Sequence, residues 1–86
     1  MTVHVELTPA ARRDLAKLPT DVLRRVDAHI LALAEDPYPP GAKKLQGSEF
    51  FRVRVGDYRI LYTVERRRLV ILVVRVGHRR DIYRIS

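Results

Sequence analysis

The chain has no cysteine. That absence removes disulfide staples, thiolate zinc sites and cysteine nucleophiles together, so the core or a partner must hold the fold. Long hydrophobic runs are missing too. The longest, Leu69 to Val74, falls far short of the roughly 20 residues that a membrane span needs. Residues Met1 to Glu6 show no basic region followed by an apolar stretch, so no secretory leader is expected and the expected location is cytoplasmic. No Ser-His-Asp order, P-loop, carboxylate pair or metal-ligand spacing appears, and the acids are scattered, which argues against a two-metal nuclease. Neither a metal nor a cofactor is expected.

Acidic side chains are scarce, and unevenly so. Residues 1–48 carry 7 basic and 6 acidic side chains, whereas residues 49–86 carry 10 basic and 4 acidic. All ten of the later bases are arginine. Lysine would serve solubility equally well, but the planar guanidinium fork grips phosphate or carboxylate at two points. With a net charge of +7, the asymmetry points to a polyanionic partner, nucleic acid first and an acidic protein second.

What is present describes one small domain spanning 1–86. The chain is 86 residues long, 47% apolar and 31% charged, a globular composition with a thin margin of burial over conformational entropy. Val3 to Leu7 alternates apolar and polar residues and reads as a half-buried strand. Thr8 and Pro9 supply a helix N-cap and a first-turn proline. Ala11, Leu15 and Leu18 then share a helical face, which Pro19 ends. Thr20-Asp21 opens a second helix whose stripe is Leu23, Val26, Ile30 and Leu33. Pro37 to Gly41 marks a loop that is expected to run on through Lys43 to Gly47. Phe50 to Val55, Tyr58 to Val64 and Leu69 to Val76 read as strands.

The expected fold is therefore α+β, in the order β-α-α-β-β-β with a short C-terminal element. The sheet is expected to be small and antiparallel, with a two-helix hairpin on one face. The fourth of these strands is apolar on both sides, as a central strand should be. It is placed beside the first and antiparallel to it.

Gly56-Asp57 suits a two-residue type II′ hairpin, which pairs Val55 with Tyr58, Arg54 with Arg59, Val53 with Ile60 and Arg52 with Leu61. Alternation then sends Phe51, Val53, Val55, Tyr58, Ile60, Tyr62 and Val64 toward the helices, and Arg52, Arg54 and Arg59 to the other side. Like charges directly opposite on a sheet are destabilising, and an anion bound between them would explain the arrangement. Gly77 permits a sharp turn, after which His78, Arg79, Arg80 and Tyr83 are expected near the arginine face. His78 in a basic cluster is a candidate general base, and Tyr83 a proton donor or stacking group. His4 and His29 read as surface residues, and Arg66-Arg67-Arg68 as a solvated turn.

The stretches Phe51 to Tyr62 (FRVRVGDYRILY) and Val76 to Tyr83 (VGHRRDIY) resemble the signature of the RelE/ParE toxin superfamily. Thr8 to Leu18 and Lys44 to Gly47 are similar to it as well. The likeness spans nearly the whole chain. It implies the toxin of a type II toxin–antitoxin pair. On the RelE side it implies a ribosome-dependent, metal-independent endoribonuclease that cuts mRNA by 2′-hydroxyl attack on the adjacent phosphate.

By position, the resemblance makes Arg59 the contact to the scissile phosphate, Arg79 a stabiliser of transition-state charge and Tyr83 a group that orients the substrate. Arg52 and Arg54 stand where known RelE members carry lysine, and Gln46 where some carry arginine. Arginine stays protonated, so Arg52 and Arg54 become clamps, and His78 is assigned the proton. Lys44 and Arg80 complete the candidate substrate-binding set. The implied partners are a RelB-like antitoxin in a toxin–antitoxin heterotetramer, the ribosome and mRNA. The alternatives are a ParE-like toxin that poisons DNA gyrase, or an inactive member that binds only antitoxin or RNA.

Overall fold

The computed structural model describes residues 3–78. The order is β1 (His4–Leu7), α1 (Pro9–Ala16), α2 (Thr20–Glu35), β2 (Lys43–Lys44), β3 (Phe51–Val55), β4 (Tyr58–Glu65) and β5 (Val70–His78). The strands form one five-stranded sheet in the order β1-β5-β4-β3-β2. The short C-terminal element expected from the sequence lies outside the described residues.

Local chemistry sets the helices. The Thr8 hydroxyl accepts the Ala11 N–H at 3.0 Å, and Pro9 occupies the first turn, where its missing N–H costs nothing. α2 starts after Pro19 without a side-chain cap, so its stability comes from the face it buries. That face is Val26, Ile30 and Leu33, with Val22 packed beside it. Leu23, expected in the stripe, is half-buried and outside the core, and Leu31 on the outer face is 62% exposed. From the sheet, Val53 and Val55, Ile60 and Tyr62, and Ile71, Val73 and Val76 meet the helices, together with Ala11 of α1.

β5 is an interior strand beside β1, as its two apolar sides require. The direction differs from expectation: β1 and β5 are parallel, with His4 opposite Val70 and Leu7 opposite Val73. The reason is β2. Lys43–Lys44 pairs antiparallel with β3 in a stretch expected to be loop, and Leu45 N–H bonds the Phe50 carbonyl at 2.8 Å to close the hairpin. This extra reversal flips the direction of every later strand relative to β1.

The β3–β4 hairpin has the expected register throughout, from Val55 opposite Tyr58 to Arg52 opposite Leu61. Gly56 has φ +60° while Asp57 keeps a negative φ, the pattern of a type II′ turn. Between β4 and β5 the register shifts: Leu61 faces Arg75 and Tyr62 faces Val73, leaving Val74 as the extra residue of a bulge. β5 also runs straight through Gly77, where a turn was expected, and ends at His78. No helix among the described residues is long and apolar enough to cross a membrane.

Candidate functional site

Opposed residues of antiparallel strands point to the same side, and successive residues alternate. The side that carries no helix is therefore read directly from the pairing. Lys43 faces Arg52, Arg52 faces Leu61, and Leu61 faces Arg75. In the next row Arg54 faces Arg59, and Arg59 faces Gly77. Basic residues from β2, β3, β4 and β5 thus start from one face. A groove of about 350 Å³ follows its β3 edge, lined by Pro40, Gly41, Lys43, Arg52, Val53 and Arg54.

The arginines differ in environment. Arg54 is exposed and Arg52 half-buried, but Arg59 is only 3% exposed. The arginines of this face are therefore not equally open to solvent. β4 is flanked on both sides, and the neighbouring Leu61 is itself 5% exposed, so Arg59 sits in the middle of a covered sheet surface. Arg75 is committed elsewhere: its Nε and Nη2 donate to the Asp14 carboxylate at 2.8 and 3.2 Å.

Two expected site residues fall on the other side. Lys44 faces Phe51, so it belongs to the helix-bearing side, and its neighbour Lys43 takes the place beside Arg52. Lys43 was missed because the stretch shows no strand alternation, and only the pairing tells the two lysines apart. His78 faces Tyr58 with ring centroids 5.6 Å apart. It lies across the sheet from the side of Arg59, and the structure does not bring it to the arginine face. Arg79, Arg80 and Tyr83 lie outside the described residues.

The remaining titratable groups have structural settings. Tyr62, fully buried, donates to the Pro37 carbonyl at 2.7 Å. Burial, with smaller contributions from Tyr38 and Asp36, pushes its phenol up to about 12. Burial alone would raise the Asp14 carboxyl, but hydrogen bonds from Arg75 and the Val76 N–H and the charges of Arg75 and Lys17 outweigh it and hold it below its usual value. His29 Nδ1–H bonds the Arg25 carbonyl at 2.8 Å on the surface of α2. At the β4–β5 tip, Arg66 Nη2 donates to the Tyr38 hydroxyl at 3.3 Å, and Arg68 lies 3.7 Å from Glu6. Among the described residues no group of three or more His, Cys, Asp or Glu is placed to hold a metal ion.

Known proteins share this fold and sequence pattern. Residues 5–83 match the family described as the ParE toxin of the type II toxin–antitoxin system parDE. The chain belongs to the RelE/ParE toxin family. Toxin RelG of Mycobacterium tuberculosis is 38% identical over 88 aligned residues, covering 98% of this chain and 99% of RelG. The toxin–antitoxin complex RelBE2 of M. tuberculosis contains a chain with TM-score 0.82 and 32% identity, covering 91% of this toxin and 99% of that chain. The archaeal RelE–RelB complex of Pyrococcus horikoshii contains another with TM-score 0.82 and 29% identity, covering 94% and 99%. This RelE/ParE toxin therefore has its arginine-bearing sheet face within a fold shared by relatives that span its length.

Proposed function

We propose that this toxin is a metal-independent endoribonuclease that cuts mRNA on the ribosome by attack of a 2′-hydroxyl on the adjacent phosphate. The observation that carries the reading is Arg54 standing directly opposite Arg59, with Arg52 and Lys43 one row away on the same face. A phosphorane gains negative charge as it forms, and guanidinium groups already aimed at it lower the barrier. Arg54, exposed, meets the phosphate first. Arg59, buried beneath that surface, adds its charge from the opposed position. Arg52 and Lys43 hold the strand along the groove. Arg79 is assigned the developing charge, and Arg80 and Tyr83 the substrate, on the family resemblance.

His78 serves as base in this scheme only if its ring leaves Tyr58 and swings past the end of β5. Substitution His78→Gln with full single-turnover cleavage on ribosomes removes it from the mechanism. A sheet this small offers RNA only a shallow face among the described residues, so the ribosome supplies orientation. The similar RelBE2 and RelE–RelB structures are toxin–antitoxin complexes, which supports a RelB-like antitoxin as the partner here. An acidic amphipathic peptide suits the charge.

The matching family description names ParE, which keeps one competitor: poisoning of DNA gyrase. The 38% identity to RelG along almost the full length and the clustered arginines favour the ribonuclease. Expression is expected to arrest translation, with transcripts cut within codons. Intact transcripts with accumulating gyrase–DNA breaks move the assignment to gyrase.

A further inference from the structure

β5 outruns β1. β1 ends at Leu7, opposite Val73, while β5 continues to His78. Beyond that point α1 replaces a strand along the open edge. The Thr8 N–H donates to the Val73 carbonyl at 3.0 Å, and the Thr8 hydroxyl to the Val74 carbonyl at 2.6 Å. Further along α1, Asp14 accepts the Val76 N–H at 2.9 Å while binding Arg75. Water would satisfy an open-edge N–H at little cost. The Asp14 side chain is instead only 15% exposed, so a carboxylate has given up most of its hydration at this position.

The place where it does so decides what faces Arg59. The bulge at Val74 lets Arg75 pair with Leu61 and Gly77 pair with Arg59. If Val74 joined the ladder, the register set by Tyr62 and Val73 would bring Arg75 opposite Ile60 and Val76 opposite Arg59. A one-residue slip exchanges the two faces of a strand. The slip would drive a guanidinium into the helix-covered core and place a valine beside Arg59. In the observed register the neighbour is a glycine, which puts no β5 side chain beside Arg59.

We propose that Asp14 is a positioning residue for the arginine face. By holding Arg75 and the Val76 amide, it keeps β5 in the bulged register that sets Gly77 against Arg59, so that no β5 side chain stands beside Arg59 and Arg75 stays out of the core. The functional half of this inference rests on the ribonuclease reading; the register half does not.

The test uses the full chain with Asp14→Ala and Asp14→Glu, read by backbone amide exchange, by the cross-strand contact between the α-protons of Ile60 and Val76, the close non-hydrogen-bonded pair next to Arg59 and Gly77, and by single-turnover cleavage on programmed ribosomes. Asp14→Ala is expected to speed Val76 amide exchange at least about tenfold relative to Ile71 and Val73. It should also weaken the Ile60–Val76 contact and lower the saturating single-turnover rate by about tenfold or more, with the half-saturating ribosome concentration within about twofold. Asp14→Glu, which keeps the charge, should recover most of each. Arg75→Gln covers the case in which Asp14→Ala does not fold, and should show the same pattern at smaller size. Exchange rising evenly along β5, with the Ile60–Val76 contact intact and cleavage per folded molecule unchanged, overturns the proposal and makes Asp14 an ordinary edge cap. A wild-type protein that cuts no RNA defeats the ribonuclease reading alone; exchange and the α-proton contact still decide the register.

Discussion

Replacing Arg54 with glutamine should make this toxin more stable and less active at once. Val55 and Tyr58 flank the two-residue turn, so the next pair, Arg54 and Arg59, falls on the closely spaced, non-hydrogen-bonded position, with α-carbons about 4.5 Å apart. Two unit charges held about 6 Å apart in a water-like dielectric repel by about 0.7 kcal/mol, inside the range of about 0.2–1 kcal/mol for cross-strand pairs. The burial of Arg59 weakens screening and pushes the value toward the upper end. Glutamine retains much of the aliphatic stem and drops the charge. A gain of about 0.7 kcal/mol corresponds to a rise in Tm of about 3–6 °C for a chain of this size. Thermal unfolding at low ionic strength measures it, and the gain should shrink in 1 M salt, where the screening length falls to about 3 Å. Inorganic phosphate should stabilise the wild type more than the variant, because it binds the folded pair. Cleavage should fall by about two orders of magnitude, as when an oxyanion donor is lost. A variant that melts lower at low salt, or one that cuts RNA at the wild-type rate, refutes the argument that the pair is kept for an anion.

Tyr62→Phe removes the donor to the Pro37 carbonyl and should cost about 1–3 kcal/mol in urea unfolding. The raised phenol means the folded state favours the protonated form. That contribution is full below pH 10 and is lost as pH rises from 10 toward about 12, so absorbance titration should show one tyrosine ionising late. Ile30→Ala, in the core, should cost about 2–5 kcal/mol; Leu31→Ala, one residue on but largely exposed, should stay within about 0.5 kcal/mol. Leu69 is held at φ +52° at the tip between β4 and β5. Leu69→Gly should relieve about 1–2 kcal/mol of left-handed strain, less about 0.5–1 kcal/mol of added chain entropy, for a small net rise in Tm.

The hairpin that carries Arg52, Arg54 and Arg59 was legible because its determinants are local. Gly56-Asp57 permits one tight turn, and the alternation of Phe51 to Val55 with Tyr58 to Ile60 leaves one register that buries Val53, Val55, Ile60 and Tyr62 together. The helices were legible for the same kind of reason: Thr8-Pro9 and Pro19-Thr20 are start and stop signals, and the stripe on α2 has a helical period. A two-residue strand has no period at all. β2 therefore read as loop, and missing it reversed the direction given to β5.

The chain's own order of residues thus determined both helices and the longer strands, the faces of the β3–β4 hairpin and the excess of arginine in its second half. Tertiary structure alone decided that β1 and β5 run parallel, that Lys43 rather than Lys44 joins the arginine face, and that Arg59 is covered while Arg54 is open. It also decided that His78 turns toward Tyr58 and that Asp14 closes on a strand 61 residues away. These outcomes share one physical cause. Side-chain facing and burial at a given residue depend on which strand lies alongside and whether a bulge intervenes, and those partners come from distant parts of the chain.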